Sequence, residues 1–202
     1  SRKVISNLEK VRVIVEYGIG YDNIDVKAAS ERKICVCNVP DFLTYEVADH
    51  TISLILALVR KVPWIYVSTR LGEWDWRKFR PIYHLDGKTA GIIGFGRIGR
   101  QVAERLEAFK VNIIVYDPYV SNEVIQQLGF RPVDLKTLLT EADIITIHTP
   151  LTEETRHMIG EKELKLMKDS AILINTSRGA IVDQKALLKA LESRSISTAA
   201  LD

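Results

Sequence analysis

Three glycines and one acid carry the chain's most specific chemistry. Gly94, Gly96 and Gly99 stand in GFGRIG with G-x-G-x-x-G spacing, and Asp117 follows roughly 20 residues on. Glycine at the first position permits a tight turn, and at the second it lets the main chain approach a pyrophosphate. At the third it lets helix and strand pack closely. The amides that open the helix, aided by its dipole, would hold the negative charge. A carboxylate at 117 can accept both hydroxyls of a ribose and would repel a 2′-phosphate. Pro118 and Tyr119 offer no arginine to bind such a phosphate, so the pattern points to NAD rather than NADP. A glycine turn of purely structural value is the plain alternative. The context argues against it: strand Thr89–Ile93, turn, helix, strand Val111–Tyr116 and terminal acid arrive in that order. Ile98, Val102, Leu106 and Phe109 give the helix one buried face.

Other residues stand where chemistry is possible. Arg178 follows an apolar strand, Ala171–Asn175, in INTSRG. Its planar fork suits bidentate capture of a carboxylate and polarisation of a neighbouring carbonyl; a surface ion pair is the blander role. Gly18 and Gly20 lie in EYGIGYDNID after the strand Val11–Val15. Their amides can converge on an anion, or the segment is a plain strand-to-helix turn whose helix, running towards Arg32, is capped by Asp22 or Asn23. His148 ends the strand Ile144–His148 and is either an acid or a loop support. His50 reads as a core or interface histidine, and His157 as solvent-facing. Cys35 and Cys37 share one face of the strand Ile34–Asn38 and read as small core hydrophobes. They lack the second cluster a metal site would need, so no metal is expected.

These residues need a frame. Strands alternate with helices from Thr89 to the end, including helices near Glu123–Leu128, after Asp134 and after Asp183. Such alternation predicts an α/β fold with a doubly wound parallel sheet. In such sheets ligands bind outside the carboxyl ends of the strands. Gly94–Gly99, Asp117, His148–Pro150, Asn175–Gly179 and Asp202 all fall there. Upstream, a helix from Thr44 as N-cap to about Lys61 carries apolar residues on nearly every face, which predicts burial between layers or domains. Pro63–Arg80 holds all three tryptophans, Trp64, Trp74 and Trp76, among arginines, a composition typical of subunit or domain contacts. The segment His84–Lys88 reads as a hairpin or linker. The domain boundary is expected there, with units 1–86 and 87–202.

Composition sets the outer bounds. The chain has 202 residues, 47% of them hydrophobic, with a net charge of +2 and no long basic run. Nucleic acid is not expected as a partner. The apolar run Ile52–Val59 is too short to span a bilayer, which takes about 20 residues, so no membrane is expected either. A cytoplasmic location is expected. Ser1 is not an initiator methionine and no signal peptide opens the chain.

With those motifs in place, the chain resembles the D-isomer-specific 2-hydroxyacid dehydrogenases. The likeness runs from EYGIGYDNID through GFGRIG, YDP, His148-Thr149-Pro150-Leu151 and INTSRG to Ala199-Ala200-Leu201-Asp202. It is strongest to the branch holding phosphoglycerate dehydrogenases and hydroxypyruvate or glyoxylate reductases. The resemblance implies a flavodoxin-like substrate domain and a Rossmann-type NAD domain, acting on a small 2-keto or 2-hydroxy acid. It implies that Arg178 holds the substrate carboxylate and activates the keto group, and that the amides of Gly18, Ile19 and Gly20 bind that carboxylate. It assigns Arg97 and Ile98 to the pyrophosphate and Asp117 to the ribose. Thr149, Thr176 and Ser177 become cofactor contacts, and Asp202 the anchor of the nicotinamide carboxamide. A homodimer through Thr44–Arg80 is implied. The glutamate and histidine of the family's proton relay would follow Asp202, so the chain reads as an internal fragment, inactive as supplied and exposing apolar surface. The family also contains NAD(H)-responsive corepressors, and a sensing role is the alternative function.

Overall fold

The strand-forming runs separate into two compact units, Ser1–Thr44 and Tyr45–Asp202. The structure is a computed structural model and describes residues 1–202.

The first unit is small. It contains α1 (Arg2–Ile5), β1 (Val13–Val15), α2 (Val26–Glu31) and β2 (Cys35–Cys37), with the two strands parallel and Ile14 opposite Val36. Ile5, Ala28, Ala29 and Ile34 form its core, with Ile14 and Val36 packed against them. The cap of α2 is Asp25, three positions beyond Asp22, and its carboxylate accepts the Ala28 N–H at 2.8 Å. Cys35 and Cys37 are not core residues. Both are exposed, because the two-residue period of a strand gives the covered face to Val36 and the opposite face to its neighbours.

The second unit begins within α3 (Thr44–Val59), followed by α4 (Val62–Arg70) and a 3-10 turn at Trp76–Phe79. The alternation then runs β3 (Thr89–Ile93), α5 (Arg97–Glu107), β4 (Asn112–Tyr116), α6 (Asn122–Gln127), β5 (Arg131–Pro132) and α7 (Leu135–Glu141). It continues with β6 (Ile144–Ile147), α8 (Glu161–Leu166), β7 (Ile172–Asn175), α9 (Gln184–Glu192) and β8 (Thr198–Leu201). The sheet is parallel throughout, in the order β5-β4-β3-β6-β7-β8. Chain order reverses beside β3, so the crevice for a ligand falls between the ends of β3 and β6. Asp134 and Asp183 cap α7 and α9 as expected. The short β5 has too little strand pattern to read, and its Pro132 is tolerated because β5 lies at the sheet edge.

Strand alternation divides the core. Ala90, Ile92, Ile113, Val115, Ile172 and Ile174 face one layer with Ile55 of α3 and Val102, Ala103 and Leu106 of α5. Ile93, Ile114, Ile145, Ile147 and Leu173 face the other, with residues of α7, α8 and α9. Helix α3 therefore packs as a member of the second unit. The expected division at 86/87 lies instead between Thr44 and Tyr45, because the apolar side of α3 is buried against this sheet. Thr44 is the first helical residue rather than the cap, and its hydroxyl donates to the Asp41 carbonyl at 3.4 Å. Phe109 remains 36% exposed, since α5 ends at Glu107 and Ala103 takes the expected place in the buried face. No single helix is long and apolar enough to cross a membrane. Helices α3 and α4 pass that test only together, across a 63° bend.

Candidate functional site

The glycine loop is built by mutual exclusion of side chains. Gly94 has φ +91°, and a Cβ there would stand 2.8 Å from both the His148 carbonyl carbon and Thr149 Cγ2. Only glycine fits this contact across the switch point. A Cβ on Gly99 would lie 2.1 Å from the Gly94 carbonyl oxygen, so the first turn of α5 is pressed against the loop itself. Gly96 differs: a Cβ there would meet nothing within 4 Å. It caps α5 with extended backbone, leaving open space beside the first amides of the helix, where Arg97 and Ile98 follow. Between the glycines, fully buried Phe95 anchors the loop through an edge-on contact with Phe130, ring centroids 5.6 Å apart.

Asp117 is bound to that loop. One carboxylate oxygen accepts the Phe95 N–H at 2.7 Å, and the other accepts the amides of Tyr119 and Val120 at 2.8 and 3.2 Å. The acid is thus held in place by main chain before any ligand arrives, and its remaining lone pairs are left for hydroxyls.

The next strand ends supply polar groups. His148 contacts Thr146 Oγ1 through Nε2 at 2.9 Å, and its N–H donates to the Ile93 carbonyl at 2.7 Å. Burial pushes its pKa down to about 3. At neutral pH it is an uncharged imidazole braced between Thr146 and the end of β3, an arrangement that suits loop support. Thr149 Oγ1 is buried without a hydrogen-bond partner. After β7, the buried Asn175 organises the loop: its Nδ2 donates to the Arg178 carbonyl at 2.9 Å. Its Oδ1 accepts the Ser177 N–H at 3.0 Å and the Ser177 hydroxyl at 2.7 Å. The Arg178 guanidinium is half-buried and donates to the Ser177 carbonyl at 2.8 Å. The Thr176 hydroxyl meets Thr51 of α3 at 2.9 Å. Beyond β8, Asp202 donates its N–H to the Asn175 carbonyl at 3.0 Å. His50 Nε2 stands 3.8 Å from the Asp202 carboxylate, so His50 is an exposed residue on α3 rather than a core one. His157 is exposed, as expected.

Within the second unit, then, the residues expected at Gly94–Gly99, Asp117, Thr149, Thr176–Arg178 and Asp202 all lie along the carboxyl edge of one sheet. The glycine turn of the first unit is fixed separately. The Gly18 carbonyl accepts the Val39 N–H at 3.0 Å, and the Ile19 carbonyl accepts the Asn38 side chain at 2.8 Å. In a trans peptide the N–H points away from the carbonyl, so the amides of Ile19 and Gly20 are turned away from Asn38 and Val39. Thr51 escapes the motif reading, and Asn175 enters it only as a strand-end residue with no role assigned. The signal for Thr51 is a hydroxyl on the apolar face of α3, between Ala48 and Ile55.

Residues 52–202 match the model of the D-isomer specific 2-hydroxyacid dehydrogenase NAD binding domain. The chain belongs to the D-isomer specific 2-hydroxyacid dehydrogenases. Among curated relatives, a D-3-phosphoglycerate dehydrogenase of Methanocaldococcus jannaschii is 48% identical over the whole chain, which covers 38% of that protein. A glyoxylate reductase of Thermococcus litoralis is 47% identical, with all of the chain and 62% of the relative covered. A D-lactate dehydrogenase from Aquifex aeolicus, solved with NAD and lactic acid, superposes with a TM-score of 0.93 at 34% identity. That match covers all of this chain and 60% of that one. The chain spans between about two fifths and three fifths of the length of these relatives.

The residues present fit a dinucleotide. The open space over Gly96, the amides at the start of α5, the acid at the end of β4 and the unpartnered Thr149 hydroxyl form the donor and acceptor set that such a group needs.

Proposed function

We propose that the intact protein is an NAD-dependent oxidoreductase interconverting a small 2-keto acid and its D-2-hydroxy acid. NAD, when bound, supplies the hydride chemistry. Gly94, Gly96, Arg97, Ile98 and Gly99 hold the pyrophosphate, and Asp117 accepts from the ribose. Thr149, Thr176 and Ser177 line the cofactor's path, and Asp202 orients the carboxamide. Arg178 carries the substrate step. Its permanent charge and fork geometry bind the carboxylate and withdraw electron density from the keto oxygen. The amides of Gly18, Ile19 and Gly20 serve in their own unit as carboxylate-binding donors. The proton comes from a histidine backed by a glutamate, outside residues 1–202. A homodimer forms through Thr44–Arg80, a reading supported by the exposure of Trp64 (40%), Trp74 (90%) and Trp76 (55%).

The observation that carries this reading is Arg178, held by Asn175 at the same sheet edge as the glycine loop. Replacing Arg178 with alanine in the intact protein should lower kcat/KM for glyoxylate or hydroxypyruvate about 10²–10³-fold, leaving NADH affinity within a few-fold. Turnover close to wild type in that variant would remove Arg178 from the substrate step. NADH binding and partner capture by an intact protein that turns over no 2-keto acid would favour the sensing role.

A further inference from the structure

We infer that Thr51, on α3, is a positioning residue that fixes the hydrogen-bonding sense of Thr176 at the cofactor site; this rests on the NAD-binding reading above. Thr51 is fully buried. Its hydroxyl lies 2.8 Å from the Val47 carbonyl, one helical turn back, and 2.9 Å from Thr176 Oγ1. A hydroxyl has one proton and can accept through its lone pairs, whereas a carbonyl oxygen can only accept. Satisfying both contacts requires Thr51 to donate to Val47 and accept from Thr176. The proton of Thr176 is thereby committed to α3. What Thr176 presents beyond its strand end is lone pairs only, an acceptor for a ligand hydroxyl or amide N–H.

The placement is structural economy of an unusual kind. A threonine that bonds back to the i−4 carbonyl normally satisfies itself within the helix and contributes little else. Here the same bond orients a second hydroxyl 125 positions away in sequence. The surrounding face of α3, Ala48, Ile52 and Ile55, is apolar and packed into the sheet core, so the Val47 carbonyl and Thr176 are the polar partners the Thr51 hydroxyl meets. Neighbouring Thr149 Oγ1 is also buried and unpartnered, so the two hydroxyls at the ends of β6 and β7 are prepared differently. Thr176 is preset as an acceptor, while Thr149 keeps both options.

Replacing Thr51 with valine keeps its shape and removes the acceptor. The Thr176 proton must then turn elsewhere, and towards a ligand donor it would oppose rather than attract. Direct NADH binding to the intact protein, measured by fluorescence or calorimetry, should show a dissociation constant about tenfold higher for Thr51→Val, the scale of one hydrogen bond. Thr51→Ser, which restores the hydroxyl, should bind as wild type. Thr51→Ala removes the hydroxyl without placing a methyl against Thr176, and it carries the same expectation should the valine variant fold poorly. Because Thr51 acts through Thr176, the double variant Thr51→Val/Thr176→Val should bind no more weakly than Thr176→Val alone. With a reduced acetylpyridine analogue, which lacks the amide N–H, loss of the Thr51 penalty identifies the amide as donor and its persistence identifies a hydroxyl. Wild-type affinity in both Thr51→Val and Thr51→Ala, failure of serine to rescue, or fully additive penalties would each overturn the role of Thr51. Absence of NADH binding by the wild type would instead overturn the NAD-binding reading itself.

Discussion

The two units use the same β–α grammar with opposite results. In the second, every residue of β6 and β7 is buried, and helices cover both faces of the sheet. In the first, β1 and β2 read VIV and CVC, yet only the middle residue of each turns towards a core. Val13 and Val15 are 51% and 63% exposed. Parallel strands are ordinarily covered on both faces, and a two-stranded sheet is marginal alone. Apolar composition therefore marks a strand's capacity for burial, and partners decide whether burial occurs. The second unit contains its partners; the first has helices on one side only.

The largest expected difference is in local stability. In the chain 1–202, amide exchange at β1 and β2 should outpace that at β3 and β6 by on the order of 10³-fold or more, because opening the first unit exposes little core. The same exposed face should drive concentration-dependent association, measurable by light scattering. Equal protection in the two sheets, or a monodisperse monomer, would erase the contrast.

A second test stays within the better-covered unit. Gly99→Ala forces a Cβ against the Gly94 carbonyl and should cost about 2–3 kcal/mol in denaturant unfolding, the range for backbone overpacking. Gly96→Ala should leave stability within about 0.5 kcal/mol while weakening NADH binding, because its Cβ enters space that a ligand would need. If the two variants lose stability equally, the loop's packing has been misassigned.

A pH response follows from His148. Burial lowers the pKa of His148 to about 3 in the folded chain, against roughly 6.5 unfolded. Between those values the unfolded state binds the extra proton, so stability rises with pH across this window and falls on acidification. Thermal melts of His148→Gln should show a shallower loss between pH 6 and 4 than wild type.

Smallest of all, Cys35→Ser and Cys37→Ser should each change stability by less than about 0.5 kcal/mol. Both thiols should react with a disulfide reagent without unfolding. Slow, unfolding-limited labelling would mean that the exposed face of the first unit is covered in solution.

These contrasts also explain what could be read from sequence. The nucleotide-binding half was legible because each local signal agreed: β3, α5, β4 and the caps Asp134 and Asp183 fall where glycine, periodicity and capping chemistry put them. Thr176 and Arg178 were legible only through a strand-end position and a family likeness. Asn175 and Thr51 act through other residues, and no spacing rule records a bond between α3 and the end of β7. The cysteines misled for a related reason. Period-two alternation assigns them to one face but does not say which face is covered, and that depends on what packs there. The placement of α3 was obscure too, since its apolar surface predicts burial without naming the partner.

One side chain shapes how mutational data on this protein should be interpreted. Asn175 secures the main chain of Arg178, both donors of Ser177 and, through its own carbonyl, the amide of Asp202. A scan that records only turnover would rank Asn175 beside the guanidinium it supports, although its amide group is engaged entirely with protein. Separating scaffold from chemistry at this strand end therefore needs a binding measurement alongside every rate.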